Sequence, residues 1–182
     1  MAEEKDSSYW IVEQQLAQID PALVDKWGDP NKHPETQLSK EEQRQILEAG
    51  REVFISHLTK EGFPMVTVHV YCLIEGELWS TSVKGRVKAS AFKRDPRTAL
   101  CISSSGLTLP FGGGMTIKAR AEVIEDRAVV ERVCAEHGRR YYTSPKAQEL
   151  FAGTLFTPNR VALKFAIDSI VSWKNIGMKS EA

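Results

Sequence analysis

The basic residues between Ser80 and Leu100 are the part of the sequence best suited to chemistry. The stretch STSVKGRVKASAFKRDPRTAL holds six cations, which are Lys84, Arg86, Lys88, Lys93, Arg94 and Arg97. Three hydroxyl residues, Ser80, Thr81 and Ser82, come before them. Such a strand end, followed by Gly85 and a helix, can bind phosphate, because free backbone N–H groups and the helix dipole favour an anion. The alternative is a solvated basic helix, and these residues alone leave both interpretations open.

Other kinds of site have less support in the sequence. His57 and His69 fall on neighbouring strands without a carboxylate pattern around them, so no metal site is predicted. The glycine-rich loop FGGG at 111–114 lacks the GxGxxG and GxxxxGK[ST] spacings and precedes a strand, so a flexible loop or a bulge is expected. A mobile lid over a ligand is the alternative for this loop. No GxSxG elbow occurs, so hydrolase chemistry is not predicted.

Composition and charge exclude several classes of protein. Lys plus Arg and Asp plus Glu number 24 each, so the formal net charge is zero, which argues against a broad nucleic-acid surface. No apolar run is long enough to span a membrane, and the first residues are acidic, without the pattern of a signal peptide. Cys72, Cys101 and Cys134 have no CxxC spacing and lie in apolar stretches, so we expect buried thiols and a reducing, cytoplasmic compartment.

The chain divides by pattern into an arm and a main domain. Residues 1–38 predict an N-terminal helical arm and linker, with one amphipathic helix around 10–19 and a second from Pro21 to Gly28. The pattern predicts that residues 39–182 form the main domain, which begins with the capping-box signature SKEE at Ser39.

The main domain alternates short strands with short helices. Helices are predicted up to Gly50, over Arg86–Arg94, from Asp126 to Gly138 and from Ser144 to Gly153. Six mostly antiparallel strands are predicted in EVFISHLTK, PMVTVHVYC, Leu78–Ser82, TALCISS, MTIKARAEVIE and RVALKFAIDSIVSW. Because their connections are short, this pattern indicates a small barrel, mainly β with flanking helices (α+β).

Alternation in the second strand separates two faces. Val66, Val68, Val70 and Cys72 share one face, which we expect to be core, while Met65, Thr67, His69 and Tyr71 share the other. The second face is therefore expected to present polar and aromatic groups to a ligand or a partner. The helical stripe Val130, Val133, Cys134 and His137 predicts a core face, with His137 as a buried histidine.

In this succession of segments the chain resembles the pyridoxamine 5'-phosphate oxidase-like, FMN-binding split-barrel superfamily. Three segments carry the resemblance, namely EVFISHLTKEGFPMVTVHVY, GELWSTSVKGRVKASAFKRDPRTAL and MTIKARAEVIED. It covers residues 40–173 and implies a six-stranded split β-barrel that forms a homodimer, with the cofactor in a cleft at the subunit interface. It also implies that the cofactor-binding residues are Thr67, Val68, His69, Ser80, Thr81, Ser82, Lys84, Arg86 and Lys88.

The resemblance implies an oxidoreductase in which the cofactor performs the chemistry. The spacing of Lys84, Arg86 and Lys88 suits a long anionic tail, so the expected cofactor is the deazaflavin coenzyme F-420, with FMN as the alternative. The expected reaction is hydride transfer between the reduced deazaflavin and a small organic acceptor. Tyr71, Trp79 and the LPFGGG loop are expected to shape the substrate pocket.

Two other functions remain open at this point. One is an FMN-binding pyridoxamine 5'-phosphate oxidase-like protein, although the final residues SWKNIGMKSEA lack the Arg-rich end that the oxidation of pyridoxamine phosphate requires in that family. The other is a protein that binds or stores a flavin or haem without turnover.

Overall fold

The computed structural model describes residues 34–174, which form four α-helices, seven strands and a short 3-10 turn at Pro34–Thr36. The helices are α1 (Lys40–Ala49), α2 (Val87–Arg94), α3 (Arg127–Tyr141) and α4 (Pro145–Leu155). The strands are β1 (Glu52–Leu58), β2 (Pro64–Val70), β3 (Cys72–Ile74), β4 (Glu77–Val83), β5 (Arg97–Ser103), β6 (Gly113–Ile124) and β7 (Arg160–Lys174). Both helices predicted before residue 29 lie outside the described residues. No helix within 34–174 is long and apolar enough to cross a membrane.

The described chain separates into two compact units. The larger unit consists of residues 51–102 and 116–171. The described part of the smaller unit consists of residues 34–50, 103–115 and 172–174. Strands β5, β6 and β7 contribute residues to both units.

The strands form one curled sheet in the order β2-β1-β5-β6-β7-β4-β3. The pairs β1–β2, β1–β5, β3–β4 and β4–β7 are antiparallel. The two edge strands, β2 and β3, follow each other in the chain with Tyr71 alone between them, so the sheet must curl until its edges approach. This confirms the predicted split barrel, mainly β with flanking helices.

The sheet has seven strands instead of the predicted six because the second strand breaks at Tyr71. Residues before the break pair with β1, and residues after it pair with β4. A tyrosine from the end of α3 occupies the break: the Tyr71 N–H donates to the Tyr141 hydroxyl at 3.2 Å, and that hydroxyl also contacts the Arg51 carbonyl. Side-chain hydrogen bonding thus replaces strand pairing at this one residue.

Helix α3 supplies the predicted core stripe but extends further than expected. Val130, Val133, Cys134 and His137 are all buried, as predicted, and the first three pack with residues of β3 and β4. His137 Nδ1 lies 2.8 Å from the Val133 carbonyl. Gly138 does not end the helix, which continues to Tyr141, because this glycine is a packing contact with α4 and not a cap.

The faces predicted for the second strand are reversed. Val66 and Val68 are 58% and 49% exposed, whereas Thr67 and His69 are partly buried. The strand pairing explains this result. His69 and Thr67 lie opposite Val53 and Ile55 of β1, which are buried, so they must face inward as well. The valines instead lie opposite Phe54 and Ser56 on the outer face.

That outer face also corrects the prediction for one cysteine. Cys101 pairs with Phe54 across β5 and β1 and is exposed, while Cys72 and Cys134 are buried as predicted. Alternation alone did not show which face of β5 is covered.

The smaller unit confirms the predicted capping box at the start of α1. Ser39 Oγ accepts from the Glu42 N–H at 3.2 Å, and Glu42 Oε2 accepts from the Ser39 N–H at 2.8 Å. The glycine-rich loop enters β6, where Gly114 packs against the Trp173 indole at a separation that leaves no space for a side chain.

Candidate functional site

An open groove of about 700 Å³ in the larger unit gathers most of the polar residues singled out above. It is bounded by the hairpin β1–β2, the end of β4, the start of α2 and the region between α4 and β7. Its lining consists of His57, Thr59, Met65, Thr67, His69, Val70, Thr81, Ser82, Val83, Arg86, Val87, Lys88, Leu155 and Arg160.

The chain turns sharply between β4 and α2, and this turn places the cations beside the hydroxyls. Gly85 adopts a φ of +87°, a conformation that glycine reaches without strain. The Arg86 N–H then donates to the Val83 carbonyl at 3.0 Å. Thr81 and Ser82 at the end of β4 and Arg86 and Lys88 at the start of α2 consequently line the same groove.

Helix α2 begins without a side-chain cap. Helices α1, α3 and α4 are capped by the side chains of Ser39, Asp126 and Ser144 respectively. Each of these side chains accepts a hydrogen bond from a backbone N–H of its helix. The residue at this position in α2 is Arg86, which has no acceptor and makes no capping hydrogen bond. The first N–H groups of α2 are thus available to an external anion.

Lys88 is the most unusual side chain of the groove. Only 6% of its surface is exposed, and its Nζ contacts Nε2 of His69. Burial, followed by the charge of Arg86, lowers the pKa of Lys88 to about 7. A buried ammonium normally has a carboxylate partner, but Lys88 has none among the described residues.

The two histidines of the groove are neutral at pH 7. Burial, with the neighbouring charges of Lys88 and Arg86, lowers the pKa of His69 to about 4. Burial also lowers the pKa of His57, whose Nδ1 is buried and has no hydrogen-bond partner among the described residues. His57 pairs with Met65 in the hairpin, so the two histidines are not direct cross-strand neighbours.

Among the described residues, no aspartate or glutamate lines the groove. Its three cations are Arg86, Lys88 and Arg160, and within the described part of the chain none of them has an ion-pair partner. The other basic residues of the stretch are already satisfied. Lys84 and Lys93 pair with Glu125, Arg97 pairs with Asp95 at 2.7 Å, and Arg94 donates to the Leu58 carbonyl at 2.6 Å.

The groove also has an apolar part. Met65, Val70, Val83, Val87 and Leu155 line it beside the cations, and Val87 is 66% exposed. A groove of this kind can bind a phosphate attached to an apolar or aromatic body. Among residues 34–174 there is no cluster of three or more His, Cys, Asp or Glu side chains that could hold a metal ion.

Six of the nine predicted cofactor-binding residues line this groove, and three do not. The six are Thr67, His69, Thr81, Ser82, Arg86 and Lys88. Val68 lies on the exposed outer face, Ser80 is buried and donates to the Val70 carbonyl at 2.8 Å, and Lys84 points to Glu125.

The expected pocket-shaping aromatic residues lie elsewhere. Tyr71 is completely buried, and Trp79 is 8% exposed and belongs to the core cluster with α3. Neither lines the groove. The LPFGGG loop belongs to the smaller unit.

Sequence reasoning missed Arg160 and left His57 without a role. Arg160 begins β7 and lies directly opposite Val83 in the β4–β7 register. That pairing joins residues 77 positions apart in the chain, so no local pattern indicates it. His57 could have been found, because it shares the inward face of β1 with Val53 and Ile55.

Comparison with known protein families shows to which family the chain belongs. A sequence profile of the pyridoxamine 5'-phosphate oxidase family matches residues 39–174, so the chain belongs to this family. No curated protein sequence matches the chain.

Solved structures with the same fold have diverse descriptions. A conserved hypothetical protein of Mycobacterium tuberculosis is 22% identical with a TM-score of 0.66, covering 76% of this chain and 86% of its own. A structure described as an F420 reductase is 16% identical with a TM-score of 0.53, covering 70% and 94% of the two chains. HutZ, the heme storage protein of Vibrio cholerae, is 12% identical with a TM-score of 0.59, covering 77% and 97%. At these identities the likeness shows the fold alone.

Proposed function

We propose that the groove binds the phosphate of a flavin-type cofactor. The observation that carries this proposal is that, within residues 34–174, no carboxylate lines a groove that holds Arg86, Arg160 and the buried Lys88. A phosphate at the uncapped start of α2 would accept hydrogen bonds from the free N–H groups there. Its negative charge would also balance the ammonium group of Lys88.

The cofactor-binding residues in this proposal are the six predicted residues that line the groove, together with Arg160. Arg86 and Lys88 hold the phosphate, and Thr81 and Ser82 donate hydroxyl hydrogen bonds at the end of β4. Thr67 and His69 contact the cofactor from β2, and Arg160 joins them from β7. The apolar residues Val87 and Leu155 cover the body of the cofactor.

We propose that the protein is an oxidoreductase using the deazaflavin coenzyme F-420, with FMN as the second candidate. The family and the F420 reductase of the same fold support a redox cofactor. The ion pair of Lys84 with Glu125 removes one of the three cations that favoured a long anionic tail, so the choice between the two cofactors depends on binding measurements. The cofactor supplies the hydride, and the chain supplies binding, orientation and a neutral histidine pair near the phosphate.

The test of turnover is single-turnover hydride transfer. We expect purified protein loaded with reduced F-420, or with reduced FMN, to reduce a quinone or enone acceptor at least tenfold faster than the free cofactor does, because positioning raises the effective concentration of the two reactants. The oxidation of the cofactor would be followed by its absorbance under anaerobic conditions.

Tight binding with no acceleration for any acceptor would contradict the enzyme proposal and favour storage of the cofactor. A shift of the Soret absorbance band of haem on mixing with the protein, combined with no flavin binding, would instead favour a function like that of the heme storage protein.

We also propose that the protein forms a homodimer through the outer face of β1, β2 and β5. This face exposes Phe54, Val66 and Val68, which are 43%, 58% and 49% exposed, together with Cys101. Three adjacent large apolar side chains on a sheet surface are typical of an interface.

A charge on this face is expected to dissociate the dimer. Val68→Glu should raise the dimer dissociation constant at least tenfold, measured by sedimentation velocity, because an unpaired carboxylate would be buried between the subunits. Ala128→Glu, at an exposed position on α3, is the matched control and should leave the dimer unchanged. A wild-type protein that sediments as a monomer at all concentrations would contradict the proposal.

A further inference from the structure

A second, smaller cavity adjoins the loop that leads into α2. Its volume is about 230 Å³, and it is lined by Lys84, Gly85, Ala89, Ser90, Lys93, Val123, Glu125 and Val161. Helix α2 contributes to both cavities, since Val87 and Lys88 line the groove whereas Ala89 and Ser90 line this pocket. The backbone of residues 84–88 therefore lies between the two cavities.

The side chain of Glu125 supplies this pocket with a carboxylate that belongs to the protein itself. Its Oε2 lies 2.6 Å from Lys84 Nζ, and its Oε1 contacts Lys93 Nζ. The hydrogen bond from Lys84, and then that from Lys93, lowers the pKa of Glu125 to about 2, so the carboxylate stays ionised at physiological pH. A carboxylate or phosphate of a ligand would bind between the same two ammonium groups.

The two cavities are lined by residues that are close in the chain. Lys84 of the pocket and Arg86 of the groove are two residues apart, which limits the distance between their Cα atoms to about 7 Å. A ligand that extends from the groove past this turn could contact Lys84 only if it displaced the Glu125 carboxylate. Such an exchange replaces one exposed ion pair with another, and therefore adds little affinity.

We infer that Glu125 is a specificity-determining residue, because its carboxylate fills a second anion subsite. The affinity for a ligand then depends on its first phosphate and not on anionic groups beyond that phosphate. This inference rests on the proposed phosphate site of the groove. It predicts a protein that does not discriminate among cofactors by the length of an anionic tail. Replacement of the carboxylate by an amide would free Lys84 and Lys93 for the ligand.

The test compares a short anion with a longer and more highly charged one, and a control variant accounts for the difference in charge. Inorganic phosphate and tripolyphosphate would be titrated into the cofactor-free protein by calorimetry at low ionic strength, where exposed charges are least screened. In Glu125→Gln we expect tripolyphosphate to bind about tenfold more tightly than to the wild type, because two lysines become available. Binding of inorganic phosphate should change by no more than about twofold.

A matched control separates a local effect from net charge. Glu122→Gln removes the same charge from an exposed position three residues earlier on β6, and it should leave the preference for tripolyphosphate over phosphate unchanged. An equal gain for both anions in Glu125→Gln, an unchanged preference, or the same gain in the control would overturn the inference while leaving the groove site intact. If the wild-type protein binds neither anion, the groove site fails, and the inference fails with it.

Discussion

Replacement of Lys88 by methionine is expected to weaken binding of the phosphate-bearing cofactor about 100-fold, because truncating one partner of a buried charge pair typically costs about 2–5 kcal/mol. The same substitution is expected to stabilise the cofactor-free protein by about 1–3 kcal/mol, since it removes a buried ammonium that has no carboxylate partner among the described residues. Fluorescence titration and thermal unfolding measure the two effects. Opposite changes in binding and stability distinguish a ligand-binding lysine from a structural one.

The pH dependence of these effects follows from the lowered pKa of Lys88. Below its folded-state pKa of about 7 the ammonium is charged in both folded and unfolded protein, so the stabilisation by methionine is largest there. Between pH 7 and the unfolded pKa of about 10.4 the folded protein loses the proton first, so the difference in stability shrinks.

Cofactor binding has the complementary pH profile. A bound phosphate raises the pKa of Lys88, so wild-type affinity should fall by up to about tenfold per pH unit above pH 7, where FMN phosphate is already dianionic. His69, with a pKa of about 4, does not titrate in this range. Lys88→Met should lack this decline.

A matched lysine provides the control for both measurements. Lys118→Met removes one cation from an exposed position on β6 and should change neither cofactor affinity nor its pH profile by more than about twofold. Unchanged affinity in Lys88→Met would contradict the phosphate role of this residue. Loss of stability in the same variant would show that the lysine supports the fold instead.

Replacement of Gly138 by alanine is expected to destabilise the protein by about 1–3 kcal/mol, although alanine favours helices. A Cβ at this position would lie 2.5 Å from the backbone carbonyl oxygen of Gln148 in α4, and a backbone atom cannot move without shifting the helix. Because α4 ends with Leu155 in the groove, the substitution should also weaken cofactor binding. Thermal unfolding and cofactor titration of the same variant would measure both effects.

Gly153 offers a control of opposite sign. It also lies within a helix, but a Cβ there would meet nothing within 4 Å. Gly153→Ala should therefore stabilise the protein by up to about 1 kcal/mol. Equal effects of the two substitutions would show that contact with Gln148 does not constrain position 138.

Local signals in the sequence predicted the elements that position the site. The capping residues Ser39, Asp126 and Ser144 each begin a helix where predicted, because such caps act over three residues. The strand–glycine–helix transition at Gly85 was also predicted from local sequence, because a glycine follows the strand directly. The resemblance to the family added the split-barrel fold, which no local signal contains.

Properties that depend on distant pairing could not be predicted. The buried face of β2 is determined by its register with β1 and by what covers that hairpin, so alternation identified two faces but assigned the core to the wrong one. The break at Tyr71 requires a hydroxyl from Tyr141, 70 residues away. Likewise, pairing of Lys84 with Glu125 depends on the end of β6 lying beside the loop before α2.

We propose above all that the groove, which has no carboxylate among its described lining residues, binds a cofactor through its phosphate. The most direct measurement compares the dissociation constants of FMN and riboflavin, and of F-420 and its phosphate-free deazaflavin core, for the cofactor-free protein. We expect the protein to bind at least one phosphate-bearing cofactor about 100-fold more tightly than its phosphate-free counterpart. Equal affinity within both pairs, or no binding of any of the four, would contradict the claim.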